Sequence, residues 1–259
     1  DVLNCDMNNY DVNILPSEPR YWMMMAGALL MGVLFVSSFD KISDKTRNLN
    51  LRRLGFAMIA IHLFLPIYTL LNPDQTFSLH RSLPFHFCGV NFLLLALNCF
   101  LRNRKLFVYT FFMSILGGFY SLLTPLLTIG DAPFVLLHYI IVHTGLFVIP
   151  IVMVRVYGMR LKSMDWMRSY LFAAIISTIM IFINGFLNTY IESPNGVIAN
   201  YMFVSEPPHV SNPFLFPSLG WPLYLVPIHF AILLHLLVLN MIYRAREINP
   251  ITIAPSLWQ

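Results

Sequence analysis

Charged residues are scarce in this sequence: Asp, Glu, Lys and Arg together make up only 11% of its 259 residues. A typical soluble domain carries about 25%. Hydrophobic residues make up 58%, so the chain lacks the polar surface that a water-exposed fold needs. The shortage of charge therefore excludes an ordinary soluble domain and indicates a protein whose solvent is lipid.

Cysteine is also scarce, and the three cysteines do not predict a disulfide framework. The formal net charge is +4, but the basic residues lie in short loops between apolar runs. They are therefore interpreted as topology signals, and nucleic acid is excluded as a partner. Because no carboxylate or basic residue lies well inside an apolar run, a carboxylate-based pump and a voltage sensor are also disfavoured.

Seven apolar runs predict an all-α, polytopic membrane protein with seven transmembrane helices, because each run has about the length that a spanning helix needs. The predicted spans are residues 21–39, 54–71, 84–101, 106–123, 134–154, 169–191 and 221–243. Segment 1–20 is polar, without the apolar core of a signal peptide, and is predicted to be extracellular. Segment 244–259 is predicted to be a cytoplasmic tail.

The long connection 192–220 mixes Pro and Gly with Phe and Leu, which is too apolar a composition for a solvated linker. We expect it to fold back over the outer mouth of the bundle as a lid. The alternative is an ordinary loop that lies on the lipid headgroups.

The basic residues are distributed asymmetrically. All but two of the 16 Lys and Arg residues fall on one side of a seven-span chain, and the exceptions are Arg20 and Arg81. Because basic loops face the cytoplasm, the N-terminus is predicted outside and the C-terminus inside. We expect a multi-pass protein of the cell membrane.

Histidine, asparagine and one cysteine are the polar residues of interest in the outer half of the spans. A polar side chain in hydrocarbon costs free energy unless it has a partner or lines a wet cavity. A lone histidine usually bonds to a neighbouring helix, but several at comparable depths predict a shared, outward-facing cavity. The candidate catalytic residues are Cys88, His86, His143 and His229. The candidate ligand-binding residues are His62, Asn91, His138, Asn184 and Tyr201.

The angular positions of these residues around their helices indicate whether they can face the same cavity. Cys88 and His86 differ by about 160° on a regular helix, but Pro84 favours an irregular first turn that lets both face inward. Asn184 and Asn188 are four residues apart and share one face.

No metal site and no cofactor are predicted, since neither HYIIVH nor HFAILLH has the i, i+4 spacing of a helical zinc pair. A three-histidine site drawn from different helices stays an open alternative. A Ser-His-Asp hydrolase is disfavoured because the spans lack the carboxylate. A cysteine beside histidines indicates thiolate attack on an ester carbonyl, with histidine as the base.

Four stretches, LPFHFCGVNFLLLALNCF, HYIIVHTG, NYMFVSEPP and SLGWPLYLVPIHF, resemble the YwaF-like integral membrane family, which is similar to animal transmembrane protein 164. The resemblance covers most of residues 20–245. It implies a compact seven-helix fold and, for the animal branch, acyl transfer between phospholipids through an active-site cysteine. Carried over by motif, Cys88 is the nucleophile, and His86, His143 or His229 supplies the base.

The first functional hypothesis is therefore a lipid-modifying enzyme that performs cysteine-dependent phospholipid acyl transfer or hydrolysis. The expected partners are membrane lipids, including an acyl-lipid substrate, together with a membrane-protein partner or a second copy of the chain. Two alternatives stay open: a small-molecule transporter or receptor-like binding protein, and a non-catalytic subunit of a membrane complex.

Overall fold

The protein is described from a computed structural model over residues 12–40, 42–72, 77–193, 196–208 and 214–247. Most of the predicted N-terminal segment and of the predicted tail lies outside these residues. Within them the chain is all-helical, apart from one antiparallel two-residue ribbon of β1 (Val12–Asn13) and β2 (Leu126–Leu127).

The described residues form a bundle of seven α-helices. They are α1 (Pro19–Asp40), α2 (Asp44–Leu71), α3 (Phe87–Leu101), α4 (Arg104–Leu123), α5 (Pro133–Arg155), α6 (Asp165–Tyr190) and α7 (Leu225–Glu247). Six of the described helices are long and apolar enough to cross a membrane. The prediction of an all-α, multi-pass membrane protein is confirmed at this level.

Helix α3 is the exception among the predicted spans. It has 15 residues, which reach about 22 Å, whereas a hydrocarbon core is about 30 Å thick. The predicted run began at residue 84, but residues 84–86 form a turn, and His86 caps the helix with an extended backbone. Because α3 starts at Phe87 and not at residue 84, its first turn lies at the edge of an open space in the bundle.

The basic loops gather at one end of the bundle, which we call the basic end. The Tyr157 hydroxyl, after α5, donates to the Arg47 carbonyl near the start of α2 at 3.0 Å. Between α3 and α4, Arg102 donates to the Asn48 side chain at 2.8 Å. The carboxylate of Asp165, fully buried at the start of α6, accepts a hydrogen bond from Arg104. These contacts join the loops that carry most of the basic residues.

The opposite end of the bundle holds the remaining connections, and we call it the cavity end because the open space beside the first turn of α3 lies there. Ile14 donates its N–H to the Pro125 carbonyl at 3.0 Å, and Arg20 pairs with Asp131 at 2.7 Å. The segment that precedes α3 and the 196–208 part of the long connection lie at this end as well, because Tyr201 bonds to the backbone of residues 79 and 83.

Helix α4 lies at the centre and packs against α3, α5 and α6. Its close approach to α5 depends on Gly118. A Cβ atom at this position would lie 2.7 Å from the His143 carbonyl oxygen and 2.9 Å from the Phe147 nitrogen. Both are backbone atoms, so neither can turn away as a side chain would. Small residues allow this kind of backbone contact between membrane helices.

Gly118→Ala is expected to lower the melting temperature in nanodiscs, because forcing a methyl group into a packed interface costs about 1–3 kcal/mol. The matched control is Gly185→Ala on α6, where a Cβ would meet nothing within 4 Å. The control should keep or slightly raise the melting temperature, since alanine is the better helix former. Equal melting temperatures for the two variants would contradict the close approach of α4 and α5.

Candidate functional site

A cavity of about 290 Å³ lies at the cavity end, between α2, α5 and the first turn of α3. Its described lining includes Cys88 together with four of the predicted histidines. These are His62, His86, His138 and His143. The structure therefore brings together residues from α2, α3 and α5 that are far apart in sequence.

Cys88 is the second residue of α3. Its Sγ lies 3.3 Å from the Ser121 Oγ on α4. Gly117 of α4 leaves room for the neighbouring Phe87 ring, since a Cβ there would lie 2.9 Å from that ring. The first intrahelical bond of α3 runs from the Val90 N–H to the His86 carbonyl at 3.0 Å. The N–H groups of the first turn therefore have no acceptor within the helix and are available to hydrogen-bond acceptors in the cavity.

His143 has a defined hydrogen-bond arrangement. Its Nδ1 lies 2.8 Å from the Tyr139 carbonyl oxygen one turn earlier in α5. Donation from Nδ1–H to that carbonyl leaves Nε2 as the acceptor nitrogen of the neutral ring. The Tyr139 ring lies 3.9 Å from the His143 ring, and its hydroxyl donates to the Ser121 carbonyl at 2.7 Å. Cys88, Ser121, Tyr139 and His143 thus form one connected group.

His62 and His138 form the α2 side of the cavity. His138 Nε2 lies 3.1 Å from the Ile61 carbonyl, so this side chain links α5 to α2. His62 makes no hydrogen bond to a described residue, and its Nε2 is buried. The imidazole fits beside the first turn of α3 because residue 89 is glycine: a Cβ there would lie 3.1 Å from the His62 ring.

His86 lies under the long connection. Its ring packs 5.2 Å from the Tyr201 ring and 5.5 Å from the Phe203 ring, between centroids. Phe203 and Pro208 also line the cavity. We call residues 196–208 the covering loop, because this stretch contributes to the cavity wall and packs on the N-cap of α3.

Two asparagines on α6 hold the covering loop. Asn184 bonds to both backbone groups of Tyr201: its Nδ2 donates to the carbonyl at 3.0 Å and its Oδ1 accepts the N–H at 3.1 Å. Asn188 makes the same pair of bonds to Ala199, at 3.0 and 2.6 Å. Burial raises the pKa of Tyr201, so its hydroxyl stays protonated and donates to the Leu79 carbonyl at 2.8 Å.

Asn184→Leu is expected to release the covering loop, because it leaves a buried backbone N–H and C=O unsatisfied at about 1–3 kcal/mol each. We expect faster hydrogen–deuterium exchange at the Tyr201 amide and faster proteolysis within residues 196–206. Thr189→Leu, exposed on the same helix, is the matched control and should behave as wild type. Unchanged exchange in Asn184→Leu would contradict this anchoring.

Four predicted site residues are not among the described residues that line the cavity. Asn184 and Tyr201 instead hold the covering loop. His229 pairs with the Tyr170 hydroxyl at 3.4 Å, between α7 and α6. Asn91 is fully buried one turn below Cys88, and neither atom of its amide has a partner among the described residues.

Three contacts at this site were absent from the sequence prediction. Ser121 and Tyr139 are ordinary helix residues in sequence, and only their contact with Cys88 and His143 marks them. His235 is not among the predicted site residues, yet its Nε2 lies 2.7 Å from the hydroxyl of Tyr120, which lines the cavity. Tyr120 and Ser121 follow Gly117 at helical spacing, which is the one signal in the sequence that marks this face of α4.

Two further observations limit the chemistry of the site. Within the described residues, no three His, Cys, Asp or Glu side chains are placed to hold a metal ion, so the three-histidine alternative gains no support.

A second groove, of about 420 Å³, is lined entirely by apolar residues of α6 and the segment before α3. Leu83 lines both this groove and the polar cavity.

Fold and site together define a class: a multi-pass helical membrane protein with a thiol and several imidazoles in a covered cavity. The model of the TMEM164 family matches residues 16–241 of this chain, and the protein belongs to that family. The match confirms the resemblance to transmembrane protein 164. No curated protein and no solved structure matches the chain.

Proposed function

We propose that this protein is a membrane enzyme that moves or hydrolyses the acyl chain of a glycerophospholipid through a covalent intermediate on Cys88. The observation that carries the proposal is the position of Cys88. Its thiol lies in the first turn of α3, within a covered cavity that His62, His86, His138 and His143 also line. The histidines in the same cavity offer a base that can remove the thiol proton during the attack.

The first half-reaction transfers the acyl group to sulfur. His143 Nε2 removes the thiol proton, and the sulfur attacks the ester carbonyl of the lipid. When the tetrahedral adduct collapses, the ester C–O bond breaks and the departing alkoxide takes the proton back from the imidazolium. The products of this step are a thioester on Cys88 and a lysolipid.

The second half-reaction regenerates the thiol of Cys88. The hydroxyl of a lysolipid, or water, loses its proton to the same imidazole and attacks the thioester carbonyl. The C–S bond then breaks and the acyl group leaves on the acceptor oxygen, while the proton returns to sulfur. The acceptor decides whether the outcome is transfer or hydrolysis.

The developing oxyanion is assigned to backbone donors of the first turn of α3. The N–H groups of Cys88 and Gly89 have no acceptor within the helix, and they are fixed before any substrate arrives. Asn184 is used by the covering loop, and Asn91 is fully buried below the cavity, so neither side chain is needed for this role.

The proposed orientation places the cavity end outside and the basic end in the cytoplasm of the cell membrane. The support is the gathering of most Lys and Arg residues at the basic end, as the positive-inside rule requires. In this orientation the cavity lies near the ester bonds of the outer leaflet, and the apolar groove beside Leu83 offers a path for an acyl chain.

The proposal is tested with purified protein in nanodiscs that contain a phospholipid with an isotope-labelled acyl chain and an unlabelled lysolipid. Labelled product on the acceptor, or labelled free fatty acid, is the expected result. Saturable lipid binding without any labelled product would refute the enzyme and favour the binding protein or the non-catalytic subunit.

A further inference from the structure

A second hydroxyl–imidazole pair lies at the cavity wall, where α4 meets α7. The Tyr120 hydroxyl of α4 lies 2.7 Å from Nε2 of His235 on α7. Tyr120 lines the cavity and directly precedes Ser121, whose Oγ lies 3.3 Å from the Cys88 sulfur. The proposed chemistry of Cys88 and His143 leaves this pair unused.

The positions of the protons in this pair follow from a backbone contact. Nδ1 of His235 lies 2.6 Å from the Ala231 carbonyl oxygen, one turn earlier in α7. Because a carbonyl only accepts hydrogen bonds, Nδ1 carries the hydrogen and Nε2 of the neutral ring keeps its lone pair. The Tyr120 hydroxyl therefore donates to Nε2, and the imidazole is placed to take the phenolic proton.

Two other tyrosines show what sets Tyr120 apart. Tyr139 also lines the cavity, but its hydroxyl donates to the Ser121 carbonyl, which is not a base. The Tyr170 hydroxyl lies 3.4 Å from His229 Nδ1, at the long limit of a hydrogen bond, and outside the described cavity lining. Among the described tyrosines, Tyr120 alone combines a place in the cavity wall with a hydroxyl bonded to a ring nitrogen.

We infer that Tyr120 is a second nucleophile in the cavity, with His235 as its base, and that it takes acyl groups from thioesters. Nε2 of His235 removes the phenolic proton while the phenolic oxygen attacks the carbonyl carbon of the thioester. The C–S bond then breaks, and the departing thiolate takes the proton from the imidazolium. The product is an aryl ester on Tyr120.

The class of acyl donor follows from the leaving groups. A phenol is a weaker acid than a thiol but a much stronger acid than an alcohol, and the more acidic group leaves more readily. The adduct of Tyr120 with an alkyl ester of a lipid therefore expels the phenolate and returns to the reactants, whereas the adduct with a thioester expels the thiolate. Tyr120 consequently does not replace Cys88 toward lipid esters, and the inference holds whether or not Cys88 carries an acyl group.

The first experiment measures the rate at which an arylsulfonyl fluoride labels each tyrosine of the Cys88→Ala protein in nanodiscs, by peptide mapping. The phenolic oxygen bonds to the sulfur, the S–F bond breaks and fluoride leaves, so the adduct is stable. We expect Tyr120 to react faster than Tyr190, which is exposed near the end of α6. His235→Gln should lower the rate at Tyr120 by about 10²-fold or more, the usual contribution of a positioned general base.

The second experiment tests the acyl donor, with S-octanoyl-N-acetylcysteamine and the same protein. An octanoyl ester should form on Tyr120 and be lost in His235→Gln. His229→Gln, which removes the imidazole beside Tyr170, is the matched control and should react as the parent does. Tyr139 reports on folding: if it becomes reactive in His235→Gln, the smaller change His235→Asn takes the place of that variant.

Two results would overturn the inference: labelling of Tyr120 no faster than that of Tyr190 in the parent, or equal rates at Tyr120 in the parent and in a folded His235 variant. Either would mean that the bond between Tyr120 and His235 only joins α4 to α7. Sulfonylation of Tyr120 without any octanoyl ester would overturn the assignment of thioesters as its acyl donors.

Discussion

Cys88→Ala is expected to abolish formation of labelled acyl product in nanodiscs, with a loss of about 10³-fold or more, because no other group replaces a covalent nucleophile. The fold should persist, since alanine occupies less space than cysteine beside Gly117 and Ser121. Product formation is measured by mass spectrometry of the extracted lipids.

Cys99→Ala is the matched control for this variant. Cys99 lies on the same helix, buried against the region of Gly55, and does not line the cavity. It should keep wild-type turnover. If Cys88→Ala retains turnover, the nucleophile is a different group, and Ser121, whose hydroxyl lies 3.3 Å from the sulfur, is the first to test.

His143→Gln is expected to lower kcat by about 10²- to 10⁴-fold, which is the usual contribution of a positioned general base. Glutamine retains a donor for the Tyr139 carbonyl but has no nitrogen that accepts a proton at neutral pH. The loss should fall on kcat more than on KM, because the imidazole acts on the thiol and the leaving alkoxide. Steady-state turnover over a range of lipid concentrations separates the two constants.

His229→Gln provides the comparison among the candidate bases. Its ring pairs with Tyr170 between α6 and α7, outside the described cavity lining, so kcat is expected to stay near wild type. A large loss in His229→Gln together with normal turnover in His143→Gln would reverse the assignment of the base.

The helical bundle was predictable because its driving force is visible in sequence. Runs of apolar residues mark helices in lipid, and the short basic loops mark their ends. Helices α2 and α3 start at Asp44 and Phe87, whereas the predicted spans started at residues 54 and 84, and both differences have local reasons. The apolar run that predicted this span covers only the apolar part of α2, whereas residues 44–53 are mostly polar and also helical. Residues 84–86 form a turn, and His86, with an extended backbone, is the N-cap of α3.

The cavity was predictable in part, because depth along a helix is countable. The irregular segment at Pro84 lets His86 and Cys88 line the same cavity, although a continuous helix would have separated them. His138 serves both the cavity and the neighbouring helix, through the Ile61 carbonyl. Counting along the chain placed these residues at comparable depths, but the bond from His138 to α2 depends on helix packing and was not predicted.

The roles of Asn184 and Tyr201 were not predictable. Sequence analysis showed that Asn184 and Asn188 share a face, but the partner of that face is the backbone of an irregular loop. Such a loop has no periodicity, and its buried N–H and C=O groups must still find partners. The requirement for those partners explains the bonds that the two asparagines make.

The most direct test of this account is peptide mapping of the protein after brief incubation with labelled phospholipid and no acceptor lipid. The account predicts an acyl adduct, labile to neutral hydroxylamine as a thioester is, on the peptide that contains Cys88. A hydroxylamine-resistant ester on Ser121, or no adduct in protein that turns over lipid, would contradict it.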